Sequence, residues 1–164
     1  MRGVVFTGNR QLEIRKFPDQ KVGLNQVLVS MKASGICGSD LHFFHTPESS
    51  EVIQGHEPAG VVVEIGAAVE NLQIGDRVAV FHASGCGSCK HCLSGHIMQC
   101  PSRRAMAWHI NGSHADYLLT EKQYCLPLPE HLDFADGAII ACAGGTAYAM
   151  VKKIDPLPGG MLVV

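Results

Sequence analysis

No apolar run in this chain approaches the roughly 18 residues that a membrane-spanning helix needs, so no transmembrane segment and no membrane partner is expected. Charge of a single sign is equally scarce. Thirteen Lys and Arg against fifteen Asp and Glu leave a net charge of −2, and without a basic stripe no nucleic-acid partner is expected. The start, Met1-Arg2-Gly3-Val4-Val5-Phe6, has only a three-residue apolar run before Thr7, too little for a secretory signal. Without export, a disulfide framework has no oxidising compartment in which to form. Internal repeats and low-complexity linkers are missing as well.

What is present suits one domain with a buried core: 164 residues, 46% of them hydrophobic. Short runs rich in Val and Ile and bounded by Gly, Pro, Asn or Asp predict strands at 3–7, 12–17, 26–33, 60–65 and 77–81, with two more at 115–120 and 124–128. Gly66, Gly75-Asp76 and Gly23-Leu24-Asn25 mark tight turns. The spacing predicts a mainly β unit, a small antiparallel barrel. From Asp133 the pattern becomes helical, with Asp133 as N-cap and Asp136 in the first turn. Gly144-Gly145 predicts a break, and a second helix from about Thr146 ends on Lys152-Lys153 before Pro156. Met161-Leu162-Val163-Val164 reads as the beginning of a buried strand.

The densest chemical signal is a Cys-x2-Cys-x2-Cys-x7-Cys run, Cys86, Cys89, Cys92 and Cys100, set among Gly85, Gly87 and Gly95. Four thiolates at this spacing can close tetrahedrally on one zinc ion, and the glycines let the loop wrap around it. Such a site contributes on the order of 10 kcal/mol of folding free energy to a loop with little core of its own. A bacterial ferredoxin-type cluster would place its fourth Cys after three residues, not seven. The zinc is expected to build a lobe over about 84–104 rather than a reaction centre. Seven cysteines in a chain without an export signal fit the reducing cytoplasm, where thiols serve as ligands.

A second constellation is dispersed: Cys37 in Gly35-Ile36-Cys37-Gly38-Ser39-Asp40-Leu41-His42, His56 in Gly55-His56-Glu57, and Cys142 near the helix break. Together they could form a second zinc site, because three protein ligands leave the open position that a catalytic metal needs. Each also has a plainer reading. A lone Cys on a β segment is often a small buried hydrophobe, Cys142 amid Ala141, Ala143 and Gly144 fits helix packing, and His56-Glu57 fits an exposed polar pair. Cys125 reads as core. His91, His96, His109 and His131 read as solvated.

These strings, with Gly112-Ser113-His114-Ala115-Asp116-Tyr117 and Cys142-x3-Thr146-x-Tyr148, occur in an order that resembles the zinc-dependent alcohol dehydrogenases of the medium-chain dehydrogenase/reductase family. The resemblance covers essentially the whole chain. It implies the N-terminal, GroES-like catalytic domain over 1–154, a partly open β-barrel with a four-cysteine zinc lobe and two C-terminal helices. It implies Cys37, His56 and Cys142 as ligands of a catalytic zinc, with Glu57 able to exchange onto the metal, and Cys86, Cys89, Cys92 and Cys100 as ligands of a structural zinc. Asp40 would accept the other ring N–H of His56, and Ser39 would bond the substrate hydroxyl and pass its proton, through the cofactor ribose, toward His42 near solvent. Thr146 would lie close to the nicotinamide of NAD or NADP. His82 stands where relatives often carry an aromatic facing the substrate.

Two positions depart from that pattern. Gly38 replaces a basic residue that contacts the cofactor pyrophosphate in some relatives, and Ala141 stands where polyol dehydrogenases carry a glutamate, which disfavours a polyol enzyme. No Gly-x-Gly-x-x-Gly turn follows the expected strand, so 155–164 reads as the start of a nucleotide-binding domain that these residues do not include. The expectation is therefore an NAD(P)-dependent enzyme acting on a small alcohol or aldehyde, a homo-oligomer in the cytoplasm, with the isolated chain inactive. The competing expectation is a GroES-like zinc module without dehydrogenase activity. An exposed apolar patch around Tyr148, Met150 and 162–164 is expected to favour self-association.

Overall fold

The computed structural model describes residues 1–155 and 159–161. The chain opens with a hairpin, β1 (Arg2–Gly8) and β2 (Gln11–Lys16). A five-stranded antiparallel sheet follows, built from β3 (Gln26–Gly35), β4 (Glu57–Ile65), β5 (Arg77–Val80), β8 (Tyr117–Glu121) and β9 (Cys125–Pro127), in the order β8-β3-β4-β5-β9. The two-residue strands β6 (Ala83–Ser84) and β7 (Arg104–Ala105) pair with each other at the base of the cysteine lobe. All seven expected strands are present within a few residues of their predicted ends. The ladder is open, with β8 and β9 at its edges, so the described residues form no closed barrel.

Alternation explains the core. Val27 and Val29 of β3 point inward with Val62 of β4, Val78 and Val80 of β5 and Leu118 of β8, and Tyr124 and Cys125 complete the cluster. β2 is the exception. Leu12 and Ile14 are exposed, because the hairpin packs only through β1, where Val5 and Phe6 are buried.

Two helical features differ from expectation. The first is α1 (Gly38–His45), which the Gly-Ser-Asp string does not advertise by hydrophobic period. Its start is set by Asp40 in the third helical position, whose Oδ2 accepts the Cys37 N–H at 2.8 Å, half of a capping box. The second concerns Gly144-Gly145. Two α-helices are present at the C-terminal side, α3 (Phe134–Ile139) and α4 (Gly145–Ile154), with the short α2 (Lys90–Leu93) inside the lobe. No break separates α3 from α4: they are joined end to end by a π turn over Ile140–Gly144, and both glycines have helical backbone angles. A wider turn accommodates the run of small residues, so the left-handed cap falls at Asp155 instead, at φ +46°. The Asp133 cap is formed as expected, its side chain accepting the Asp136 N–H at 2.8 Å.

The continuous helix from Phe134 to Ile154 is, among the described residues, one that by length and composition could cross a membrane, which differs from the expectation drawn from short apolar runs. Its inner face packs on β3, β4 and β5 through Gly137, Ala138 and Ala141. Its outer face leaves Tyr148, Met150, Val151 and Ile154 exposed, which is the expected apolar patch as far as it lies in the described residues. Residues 162–164, where most of the final strand was expected, lie outside them.

Candidate metal centre and its surroundings

Register brings the first two ligands together. β3 and β4 are antiparallel neighbours with Gly35 opposite Glu57. Cys37 therefore lies two residues past the end of one strand and His56 just before the start of the other. Cys142 arrives from the far end of the chain, on the π turn that rides over the same end of the sheet. The ligand atoms of Cys37, His56 and Cys142 all lie within 4.8 Å of one another.

Buried polar groups surround them. His56 Nδ1 faces Asp40 Oδ1 at 3.0 Å, both side chains almost fully buried. Asp40 thus caps α1 with one oxygen and sets the other beside His56 Nδ1, in a contact too poorly aligned to count as a hydrogen bond, which leaves Nε2 as the nitrogen facing the other ligands. Ser39 Oγ lies 3.3 Å from that Nε2. Glu57 is buried, and its Oε1 has no hydrogen-bond partner. His42, one helical turn beyond Ser39, is exposed, and Thr146, one turn beyond Cys142, is exposed on α4.

Electrostatics argue for a cation in this pocket. Burial disfavours the Cys37 thiolate, yet hydrogen bonding with Ser39 and the proximity of His56 outweigh it, so Cys37 ionises below its ordinary range. Burial likewise opposes the His56 imidazolium, but Asp40 and then Cys37 raise it. Cys142 is pushed up to about 12, first by burial and then by Cys37 and Glu57. Cys37, Cys142 and Glu57 are anion-forming groups gathered around His56, and they cannot all ionise together in a buried site without further positive charge. A zinc ion fits this donor set, with an orphaned carboxylate oxygen beside it.

His82, between β5 and β6, contributes a wall. Its Nδ1 is 3.3 Å from the Ala141 carbonyl oxygen, and its ring centre is 5.7 Å from that of His56. Burial lowers its pKa, opposed by the Ala141 contact and reinforced by the nearby His56 and Arg103. Trp108 was not legible as a site residue, yet its ring stands 5.0 Å from His56 and 5.0 Å from Phe43, edge-on to both. Its only sequence signal is that it is the single tryptophan of the chain.

The four lobe cysteines converge separately, again with all sulfurs within 4.8 Å of one another. Cys89 Sγ and Cys86 Sγ lie 3.6 and 4.0 Å from Cys92 Sγ. A tetrahedron of Zn–S bonds near 2.3 Å has edges of about 3.8 Å, so the spacing suits one zinc. Backbone N–H groups of Cys86 and Cys89 point at Cys100 Sγ and Cys86 Sγ, each at 3.4 Å. Hydrogen bonds from Ser88 and Cys89 hold Cys86 down to about 6. Desolvation and the neighbouring thiols push Cys92 up to about 11. Tyr124 anchors the lobe to the sheet, its hydroxyl accepting the Gly85 N–H at 2.9 Å. Cys125 is core, as expected, its thiol pushed up to about 12 by burial. His96, His109 and His131 are exposed and His91 half-buried.

Comparison with known proteins places this geometry in context. The alcohol dehydrogenase GroES-like domain profile matches residues 23–130. An uncharacterised zinc-type alcohol dehydrogenase-like protein of Escherichia coli K12 is 39% identical over 93% of this chain and 47% of its own length. The alcohol dehydrogenase of Thermus sp. ATN1 superposes with a TM-score of 0.86 at 26% identity, covering 93% of this chain and 47% of that one. A crystal structure of an NAD-dependent alcohol dehydrogenase superposes with a TM-score of 0.85 at 28% identity, over 96% and 49%. The chain spans about half the length of the curated relatives it matches.

Proposed function

Because the chain belongs to the alcohol dehydrogenase GroES-like domain family, we propose that it supplies the zinc-binding catalytic half of an NAD(P)-dependent alcohol dehydrogenase. The observation that carries this reading is the convergence of Cys37, His56 and Cys142 from three distant segments, with His56 backed by the buried Asp40. Zinc held there would supply Lewis-acid polarisation of a substrate oxygen in the position the three ligands leave open. The lobe cysteines would hold a second, structural zinc.

The chain's own groups then divide the work. Asp40 keeps the Nδ1 proton of His56 in place, which orients the ring and raises its basicity. Ser39, beside Nε2, is placed to accept the proton of an alcohol hydroxyl. His42, on the same face of α1 and open to solvent, would take that proton onward by way of the cofactor ribose. Glu57 Oε1, buried and unpartnered, is available to exchange onto the metal. His82 and Trp108 border the substrate space, and a polar His82 suits a substrate with a second oxygen. Thr146 would face the nicotinamide, which carries the hydride chemistry itself. Similarity to an NAD-dependent alcohol dehydrogenase supports a nicotinamide partner.

The exposed apolar face of α4 is proposed to meet another protein surface, in a homo-oligomer or a following domain, rather than a membrane. No nucleic-acid partner is proposed, and a cytoplasmic setting is proposed on the cysteine usage alone. The 164 residues alone are expected not to oxidise alcohols, since holding nicotinamide within about 3 to 3.5 Å of the substrate is worth about 7 to 11 kcal/mol.

The test is elemental analysis of zinc per chain for wild type, Cys37→Ala and Cys89→Ala. The reading predicts two zincs in the wild type and one in each variant. One zinc that is insensitive to Cys37→Ala would leave only a GroES-like module with a structural metal.

A further inference from the structure

Next to the segment that delivers His56 lies a hydrogen-bonded group that the proposed chemistry does not use. Ser34 Oγ of β3 lies 2.7 Å from Ser113 Oγ and 2.7 Å from His114 Nδ1. Ser113 is almost fully buried. The backbone of 112–114 is laced to the segment just before His56: Gly112 N–H to Ile53 O at 2.7 Å, His114 N–H to Gln54 O at 2.8 Å and Ser113 N–H to Gly55 O at 2.9 Å.

The imidazole of His114 rests on Gly55. That glycine has φ +87°, and a Cβ there would meet the ring at 2.5 Å. Gly55 sets the direction in which His56 leaves, and as a glycine at positive φ it has no side chain of its own to hold that direction, only its backbone bond to Ser113 and the ring of His114 against it. Ser34, Asp40 and His114 also line the same mainly apolar cleft of about 440 Å³.

We infer that Ser34 and His114 are positioning residues for the metal centre: the Ser113–Ser34–His114 chain fixes the imidazole, and the imidazole fixes the Gly55 hinge that aims His56 at the metal. Neither residue touches substrate or metal. The inference rests on the catalytic-zinc reading of Cys37, His56 and Cys142. Removing the ring or its hydroxyl partner lets Gly55 turn and loosens His56 while leaving the lobe untouched.

The test loads the full 164-residue chain with cobalt(II) and titrates it against a competing chelator. The visible absorption of the Cys37–His56–Cys142 site is followed apart from that of the four-thiolate lobe. His114→Ala and Ser34→Ala are expected to weaken the three-ligand site about 10-fold, the low end of the range for outer partners of metal ligands, and to broaden its absorption. The lobe affinity should stay unchanged, which also reports that the variants are folded. His114→Asn, whose amide can reach Ser34 from the position of Nδ1, is expected to recover most of the affinity, and His114→Phe, which keeps only the ring, less. If His114→Ala does not fold, Ser34→Ala decides alone. A wild-type chain that takes up no cobalt at the three-ligand site refutes the zinc reading and the inference with it. A wild-type site that fills normally, with both alanine variants matching it, refutes the inference alone.

Discussion

Replacing Arg77 with Ala should weaken the metal centre from a distance, because this side chain ties the sheet to the helix that carries Cys142. Its guanidinium donates to the carbonyls of Pro129 and Glu130 at 3.2 and 3.1 Å and to that of Leu132 at 2.6 Å, and it lies 4.6 Å from the centre of the Phe134 ring. Those groups form the turn into α3. The two solvent-exposed hydrogen bonds are worth about 0.5 kcal/mol each and the partly buried one about 1 kcal/mol. The cation–π contact adds about 0.5 to 1 kcal/mol. Arg77→Ala should therefore cost about 2 to 3 kcal/mol, which in a domain of this size lowers Tm by about 5 to 10 °C. Arg77→Lys keeps the charge but not the fork of donors, and should recover less than half of that. The assay is thermal unfolding followed by circular dichroism on the zinc-loaded chain, with zinc per chain counted for each variant. The alanine variant should lose the three-ligand zinc more readily than the lobe zinc. A Tm within about 2 °C of wild type, or a lysine variant equal to wild type, would show that the fork does not hold the helix.

Two further outcomes follow from the lobe. Gly85→Ala would set a Cβ 2.5 Å from Cys92 Sγ, so one zinc per chain should be lost while the Cys37, His56 and Cys142 site keeps its own; retention of both zincs by elemental analysis would contradict the packing. In the metal-free chain, Cys86, held down to about 6 from 9.0, should be alkylated at nearly full rate from about pH 7 upward and at about half that rate near pH 6. Cys92, at about 11, and Cys142, at about 12, should react only in alkaline solution. Mass spectrometry of the modified peptides against pH checks this, and equal profiles for Cys86 and Cys92 would refute the asymmetry. The linkage has a definite sign: a depressed thiol stabilises the folded lobe above its ordinary value of 9.0, and that contribution shrinks as pH falls and is gone below about 6.

The lobe was legible in the chain because its four ligands lie within one short segment, where spacing and glycines alone restrict the geometry. The strands were legible because alternation and turn residues are local. The sequence by itself also marked Asp133 as a helix cap and Cys125 as core, each from its immediate neighbours. It marked Gly144-Gly145 as a break, and there the local rule failed: the helix docks on β3, β4 and β5 through Gly137, Ala138 and Ala141, and that packing carries it through the glycines by way of a π turn.

Only the tertiary structure decided that Cys37, His56 and Cys142 face one point, because that depends on Gly35 standing opposite Glu57 in the sheet and on where the π turn delivers Cys142. Trp108 beside His56 and Arg77 beneath the helix were silent in the sequence for the same reason, and Gly112-Ser113-His114, visible as a string, gave no sign that it would meet Ser34 behind Gly55. Spacing restricts geometry over a few residues, whereas contacts between distant segments exist only after burial of the common core has set strand register and helix docking.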